Sequence, residues 1–276
     1  MSPQGRDNVL SLEGGSSIPA LYQGLLKTLY LPLPELDEQN AIANVLSSLD
    51  NKIDLLHRQN KTLESMAETL FRQWFIEEAK EDWEEKKLKD ICVINNGYAF
   101  QSNSYTDFGQ KIIRTLNFSD HWLRLNGLVY VSDELAKSFE KYYLKRNDFL
   151  LVMVGASLGN FSIVTKDVLP ALQNQNMWCF RANNTMPQHY LNFVLRRLID
   201  ETLHGASGSA REFFQKGVFY ELSVNVAPIE IMNKFEKICE SYFYKIELNR
   251  IQINTLEKLR DTLLPKLMSG EVRVKI

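Results

Sequence analysis

Three short stretches of this 276-residue chain hold residue types that grip anions or read hydrogen-bonding edges. Residues 95–102 read NNGYAFQS, an Asn-Gly turn followed by Tyr98, Phe100, Gln101 and Ser102. Residues 154–160 read VGASLGN, a small, glycine-punctuated segment whose backbone N–H groups are of the kind that meet a phosphate. Residues 205–211 read GASGSAR, a second small-residue loop ending in Arg211. Each has a plainer reading. Gly-Ser loops are mostly solvated connections, and Tyr98 and Phe100 taken alone are more often core than stacking platforms.

Catalytic constellations are missing from the sequence. There is no G-x-x-x-x-G-K-[ST] loop, and VGASLGN lacks the lysine such a loop needs. No G-x-S-x-G, H-E-x-x-H or Cys/His cluster occurs, and His57, His121, His189 and His204 adjoin no motif. The acid–lysine run DWEEKK (82–87) has the composition of a nuclease set but reads better as a charged linker. No catalytic residue, cofactor or metal is therefore expected, and the chain reads as non-enzymatic.

What must position these loops is an internal repeat. An ungapped offset of 193 pairs Gly15-Ser16 with Gly208-Ser209 and Lys52-Ile53 with Lys245-Ile246. It also pairs Thr62-Leu63-Glu64 with Thr255-Leu256-Glu257, and Thr69-Leu70 with Thr262-Leu263. Each copy reads as a long helix. The first opens at Pro34-Glu35 and places Ile42, Val45, Leu49, Ile53, Leu56, Leu63, Met66, Leu70 and Trp74 on a seam, with Asn60 inside it. The second starts near Pro228 and carries Phe235, Ile238, Tyr242, Ile246, Asn249, Ile253, Leu256, Leu259 and Leu263. About forty residues at 1.5 Å each make a rod of roughly 60 Å. Residues 35–79 hold four Lys/Arg against nine acids, and residues 229–276 hold nine against seven. That contrast favours pairing between the copies over self-pairing.

Between the helices the pattern changes. Short apolar runs at 88–94, 111–116, 127–131, 149–154, 161–165 and 177–180 are separated by turn signals such as Asn96-Gly97 and Asn126-Gly127. This predicts a β-rich domain with helices near 133–141 and at 187–203. The insert's charge is balanced, 17 Lys/Arg against 16 acids, and the whole chain carries −2. Charge alone therefore does not suggest nucleic acid, and a DNA-binding face would have to be concentrated by the fold. Three scattered cysteines, no C-x-x-C pair, and no apolar run of 18 residues point to a soluble cytoplasmic protein without membrane contact.

Taken in order, these blocks resemble the specificity subunit of type I restriction-modification systems. LPLPELDEQNAIANVLSSLDNKIDLL resembles that family's helix opening, and DTLLPKLMSGEVRV its C-terminal helix ending. LKDICVINNGYAFQSNSYTDFGQKIIRTLNFSD, NDFLLVMVGASLGNFSIV, LQNQNMWCFRA and GASGSAREFF resemble successive blocks of a target-recognition domain. In the second copy the P-L-x-E-Q opening has become APIEIMNKF, so Glu38-Gln39 has no equivalent there.

The resemblance implies an α+β fold, with one β-rich target-recognition domain flanked by two long helices that pair as an antiparallel coiled coil. It implies a remnant tail of a first recognition domain at 1–34, a spacer helix at 35–79, the recognition domain at 80–228, and a second spacer helix and tail at 229–276. It also implies double-stranded DNA as ligand and methyltransferase and restriction/translocase subunits as partners. With one recognition domain, the chain is expected to act as a half-subunit, as a homodimer or with another half. The DNA-facing residues it points to are Asn96, Tyr98, Lys111, Arg114, Asn117, Ser157, Asn160, Gln175, Ser209 and Arg211. A coiled-coil scaffold without DNA readout is the alternative.

Overall fold

A computed structural model describes residues 3–11, 21–28, 34–205 and 215–274. The chain divides into two compact units, Met1–Lys61 with Leu248–Ile276, and Thr62–Glu247. The first holds α1 (Pro3–Leu10), α2 (Gln23–Leu26), most of α3 (Leu36–Arg72) and the end of α8 (Ile229–Ser269). Helix α3 starts as its acids predict. Asp37 and Glu38 occupy the first turn, and the Gln39 side chain donates to the Pro34 carbonyl at 2.8 Å. Helix α8 ends at Gly270, whose φ of 74° suits a residue without a Cβ.

Within this unit the two helices run antiparallel. Asn60 meets Asn249, Asp50 meets Arg260 at 3.0 Å, and Glu38 meets Arg273, just past the end of α8, at 2.9 Å, so partner numbers fall as those on α3 rise. Ile53, Leu56, Ile253 and Leu256 form the apolar seam. The Arg273 guanidinium hydrogen-bonded to Glu38 holds that carboxyl below the usual range.

The second unit is the inserted domain with the adjoining helix segments, 62–72 of α3 and 229–247 of α8. Its centre is a four-stranded antiparallel sheet in the order β2 (Cys92–Asn96), β10 (Met177–Ala182), β7 (Phe149–Val152), β8 (Phe161–Ile163). Phe149, Leu151, Trp178 and Phe180 point into one core, while Leu150, Met177 and Cys179 point into another. The unbroken apolar runs of β7 and β10 are thereby explained: both faces are covered. A second sheet, β6 (Val129–Val131), β3 (Gln110–Ile113), β9 (Ala171–Gln173), has β3 antiparallel to β6 and parallel to β9. Small pairs join β4 (Phe118–Ser119) to β5 (Trp122–Leu123) and β1 (Glu84–Lys87) to β11 (Ser223–Val226). The main helices are α6 (Gln188–Gly205), which packs against the sheet, and the shorter α4 (Leu88–Ile91), α5 (Asp133–Lys137) and α7 (Lys216–Glu221).

Three local expectations are corrected. The charged stretch at 82–87 is not merely a linker, because Glu84–Lys87 pairs with Ser223–Val226 as β1. Its composition is poor for a strand, and the partner strand supplies the pairing. Lys87 Nζ reaches the Glu221 carbonyl at 3.0 Å and Ser223 Oγ at 2.8 Å. The run at 88–94 opens with a helical turn, and the strand begins only at Cys92. The seam also shifts by one position where the helices enter the domain. Ala67, Phe71 and Phe75 are buried where Met66, Leu70 and Trp74 are expected, and Cys239 and Phe243 replace Ile238 and Tyr242. A helix drifts about 20° per heptad against a 3.5-residue repeat, and here it faces a broad core instead of one partner helix. A π turn at Gln73–Glu77 brings Phe75 inward against Tyr190 at 4.8 Å and Phe235 at 5.2 Å.

Carboxylates on one face of α8 hold the domain's polar groups. Glu236 accepts the His189 and Tyr190 N–H groups at 2.9 and 3.3 Å, capping α6. Burial pushes its carboxyl up. Glu240 takes His189 Nε2 at 3.2 Å and also Arg146, while buried Glu247 accepts from Arg146 Nε and from the Lys166 N–H at 2.9 Å. His189 and Arg146 together bring the Glu240 carboxyl down to about 2. A depressed carboxyl contributes stability that is complete above the unfolded-state value of 4.5 and is lost as pH falls toward about 2. Urea unfolding should therefore show Glu240→Gln clearly less stable than wild type near neutral pH. That difference should shrink steadily through this acid window.

Candidate nucleic-acid interface

The polar tripeptide Asn174-Gln175-Asn176 interrupts the apolar run between β9 and β10, and three strand ends are stitched to it. Buried Gln173 donates to the Asn95 and Met177 carbonyls at 3.2 and 3.0 Å. The Asn174 N–H reaches the Ile113 carbonyl at 3.0 Å, tying in the exit of β3. The Tyr98 N–H reaches Gln173 at 3.1 Å, and the Gln175 N–H returns to Tyr98 at 2.9 Å. The Met153 N–H reaches the Asn176 carbonyl at 3.2 Å, bringing in the exit of β7. Gly97 is required by this crossing: a Cβ there would sit 1.8 Å from the Asn174 carbonyl oxygen.

Several expected residues come together at this junction. Asn96, Tyr98 and Gln175 are exposed there, with Arg114 immediately after Ile113. Tyr98 packs on Phe139 at 4.4 Å, Phe100 at 5.0 Å and Tyr142 at 5.4 Å, and Lys141 lies over the Tyr142 ring at 4.9 Å. Phe100 is core, whereas Tyr98 keeps more than a third of its surface open. The Arg114 guanidinium donates to the Gly127 carbonyl at 3.0 Å and lies 5.9 Å over the Tyr105 ring. Its Nε makes no hydrogen bond among the described residues.

The remaining expected residues are placed differently. Asn117 is buried; its Oδ1 accepts the Arg114 N–H at 2.9 Å, so it shapes the loop that carries Arg114. Lys111 Nζ donates to the Val168 and Leu169 carbonyls at 2.8 and 3.2 Å, and burial lowers its ammonium pKa. Ser157 and Asn160 lie in the β7–β8 loop, which turns its backbone donors inward. The N–H groups of Leu158, Gly159 and Asn160 bond Gly155, Val152 and Ser157 at 3.2, 3.0 and 3.0 Å. Ser209 and Arg211 lie outside the described residues.

Asn174, Asn176, Tyr142 and Lys141 join this junction without having been picked out from the sequence. Polar residues splitting the apolar run LQNQNMWCF are the signal that marks the first two. The pairing of Tyr142 with Tyr98 has no sequence signature, because it is made across the fold.

Chemically, the cluster offers amide edges, an aromatic face and a guanidinium. Arginine suits guanine and Asn or Gln suits adenine when presented in a groove, and lysine suits phosphate. No thiol is poised as a nucleophile: Cys92 is pushed up to about 12 by burial, and Cys179 and Cys239 are raised by the same cause. Among the described residues, no group of three His, Cys, Asp or Glu side chains is placed to hold a metal ion, and no helix is long and apolar enough to cross a membrane.

Comparison with known proteins agrees with the resemblance. The family described as type I restriction modification DNA specificity domain matches residues 6–65 and 80–258, and the chain belongs to it. The MjaIX specificity subunit of Methanocaldococcus jannaschii is 27% identical, over 96% of this chain and 65% of its own length. The MjaVIII specificity subunit of the same organism is 23% identical, over 95% and 66% respectively. The chain thus spans just under two thirds of these relatives. The type I restriction-modification S subunit of M. genitalium shares the fold, with a TM-score of 0.59 at 20% identity, over 93% of this chain and 68% of that one.

Because Gly97 has no room for a Cβ, Gly97→Ala should displace the Tyr98 turn from Asn174. Amide exchange should then speed up at Tyr98 and Gln175, while the α3–α8 seam stays protected.

Proposed function

We propose that this member of the type I restriction-modification specificity family is the DNA-recognition subunit of a restriction-modification complex. It reads one half of a bipartite site, docks methyltransferase and restriction subunits, and does no chemistry itself. One observation supports the reading: Asn96, Tyr98 and Gln175, with Arg114 directly after Ile113 in the chain, come from the ends of three strands that are stitched into one junction of the inserted domain. Lys111 and Asn117 support this surface from within, and Ser157, Asn160, Ser209 and Arg211 are kept as further proposed DNA contacts.

The proposed organisation is a tail at 1–34, spacer helices at 35–79 and 229–276, and the recognition domain at 80–228. The three buried thiols suit a reducing cytoplasm. Double-stranded DNA is the ligand. The logarithm of the binding constant of the assembled complex should fall linearly with the logarithm of salt concentration. Arg114→Ala or Arg211→Ala should weaken binding by about 1–3 kcal/mol in a fluorescence titration without unfolding the chain. Unchanged binding in both variants rejects this surface. Binding to no DNA at any salt, with the methyltransferase present, favours a coiled-coil scaffold instead.

The described residues hold one inserted domain between the two copies of the repeated helix, and we infer that two copies, or this chain and another half-subunit, serve one complex. Such a pair would mirror a split site with twofold symmetry. Mass measurement with the methyltransferase should find two copies, and sequencing of modified bases should find a symmetric bipartite motif. One copy with an asymmetric motif overturns the pairing.

A further inference from the structure

The seam between the long helices contains one polar step, and the internal repeat gives that step a meaning. Leu56, 1% exposed, packs with Ile53, Ile253 and Leu256. One turn away, Asn249 Nδ2 donates to Asn60 Oδ1 at 2.8 Å, with both side chains buried. At the 193-residue offset Leu56 is the counterpart of Asn249, and Asn60 is the counterpart of Ile253. Each helix therefore writes one amide and one aliphatic residue four positions apart, in opposite order.

That order discriminates between pairings because the helices run antiparallel. Pairing α3 with α8 sets Asn against Asn and Leu against Ile. The same antiparallel geometry applied to two copies of α3 sets Leu56 of each against Asn60 of the other. Applied to two copies of α8, it sets Asn249 against Ile253 twice. Both self-pairings bury two amides against aliphatic side chains, and a buried amide without a partner costs roughly tenfold or more in an equilibrium constant. The flanking steps cannot discriminate. Ile53 would face Leu63 in an α3 pair, Ile246 would face Leu256 in an α8 pair, and Ile53 faces Leu256 in the observed one, all of them aliphatic.

We propose that the Asn60–Asn249 pair encodes helix choice: it commits every α3 to an α8 and excludes α3–α3 and α8–α8 pairing between copies of this chain. Two faces descended from one repeat are otherwise near-equivalent, so a repeated helix invites self-association. The pair is not optimised for stability, since Asn249 Oδ1 makes no hydrogen bond among the described residues. A polar seam step that lowers stability while selecting a partner is the known use of a buried asparagine. The exposed Asp50–Arg260 pair favours the same choice but is worth little by itself. The proposal does not depend on what the inserted domain binds.

The test uses the full chain and moves the amide pair across the seam. L56N/N60L alone, or N249I/I253N alone, mismatches both steps, and the four substitutions together restore Asn facing Asn and aliphatic facing aliphatic. Each single-helix exchange should lower the thermal midpoint, and the combination should recover most of the loss. Equal, additive losses overturn the proposal. The apolar variant N60L/N249L, which retains a packed seam, provides a second arm. Sedimentation should show copy-to-copy association strengthened at least about tenfold over wild type. Spin labels at Arg58→Cys in that background should report a new short distance between two α3 helices. Unchanged association, or association without that distance, overturns the proposal as well.

Discussion

Three carboxylates on α8 are the constraint around which the second unit is arranged. Glu236, Glu240 and Glu247 lie on one helical face at spacings of four and seven, and through shared partners they hold the start of α6, Arg146 and the backbone at Lys166. Glu236 caps α6, Glu240 grips His189 and Arg146, and Glu247 holds Arg146 and the backbone at Lys166. A carboxylate taken out of water must find partners or lose its charge, and buried Glu247 finds them in Arg146 and the Lys166 N–H. Beside them Phe235, Cys239, Phe243 and Ile246 fill the core, with Phe235 against Phe71 and Phe75. The polar contacts fix direction, and the apolar ones supply most of the burial.

The candidate interface follows from a different requirement. Strands buried on both faces leave no place for polar residues except at their ends. The ends of β2, β3, β7 and β9 meet at residues 173–176, so polar side chains from distant blocks converge there. Gln173 is buried to serve that crossing, and Gly97 is small to permit it. What remains outward, Asn96, Tyr98 and Gln175, is free to meet a ligand. Lys111 and Asn117 are polar too, but their polar atoms satisfy backbone groups.

One repeated helix meets two environments in this protein. In the first unit its seam faces one partner helix and keeps the coiled-coil register through Ile53, Leu56 and Asn60. In the second unit the buried set moves over by one position, because sheet and α6 residues surround the helix more broadly. A single sequence period serves both only because an α-helix drifts slowly against a seven-residue repeat.

The long helices, the apolar strands β7 and β10, and the family were legible in the residues themselves. These depend on local periodicity and on blocks in order, and both are properties of the linear chain. Asn60 inside the seam was legible too, although its partner was not. The strand at Glu84–Lys87 was hidden because its charged residues gain a strand conformation only from Ser223–Val226, far away in sequence. The roles of Lys111, Arg114 and Asn117 were hidden for the same reason. A lysine or asparagine reads identically in sequence whether its polar atoms meet a carbonyl or solvent. Only the approach of Val168 to Lys111, and the turn that buries Asn117 beneath Arg114, decided which side chains hold the domain together and which face outward.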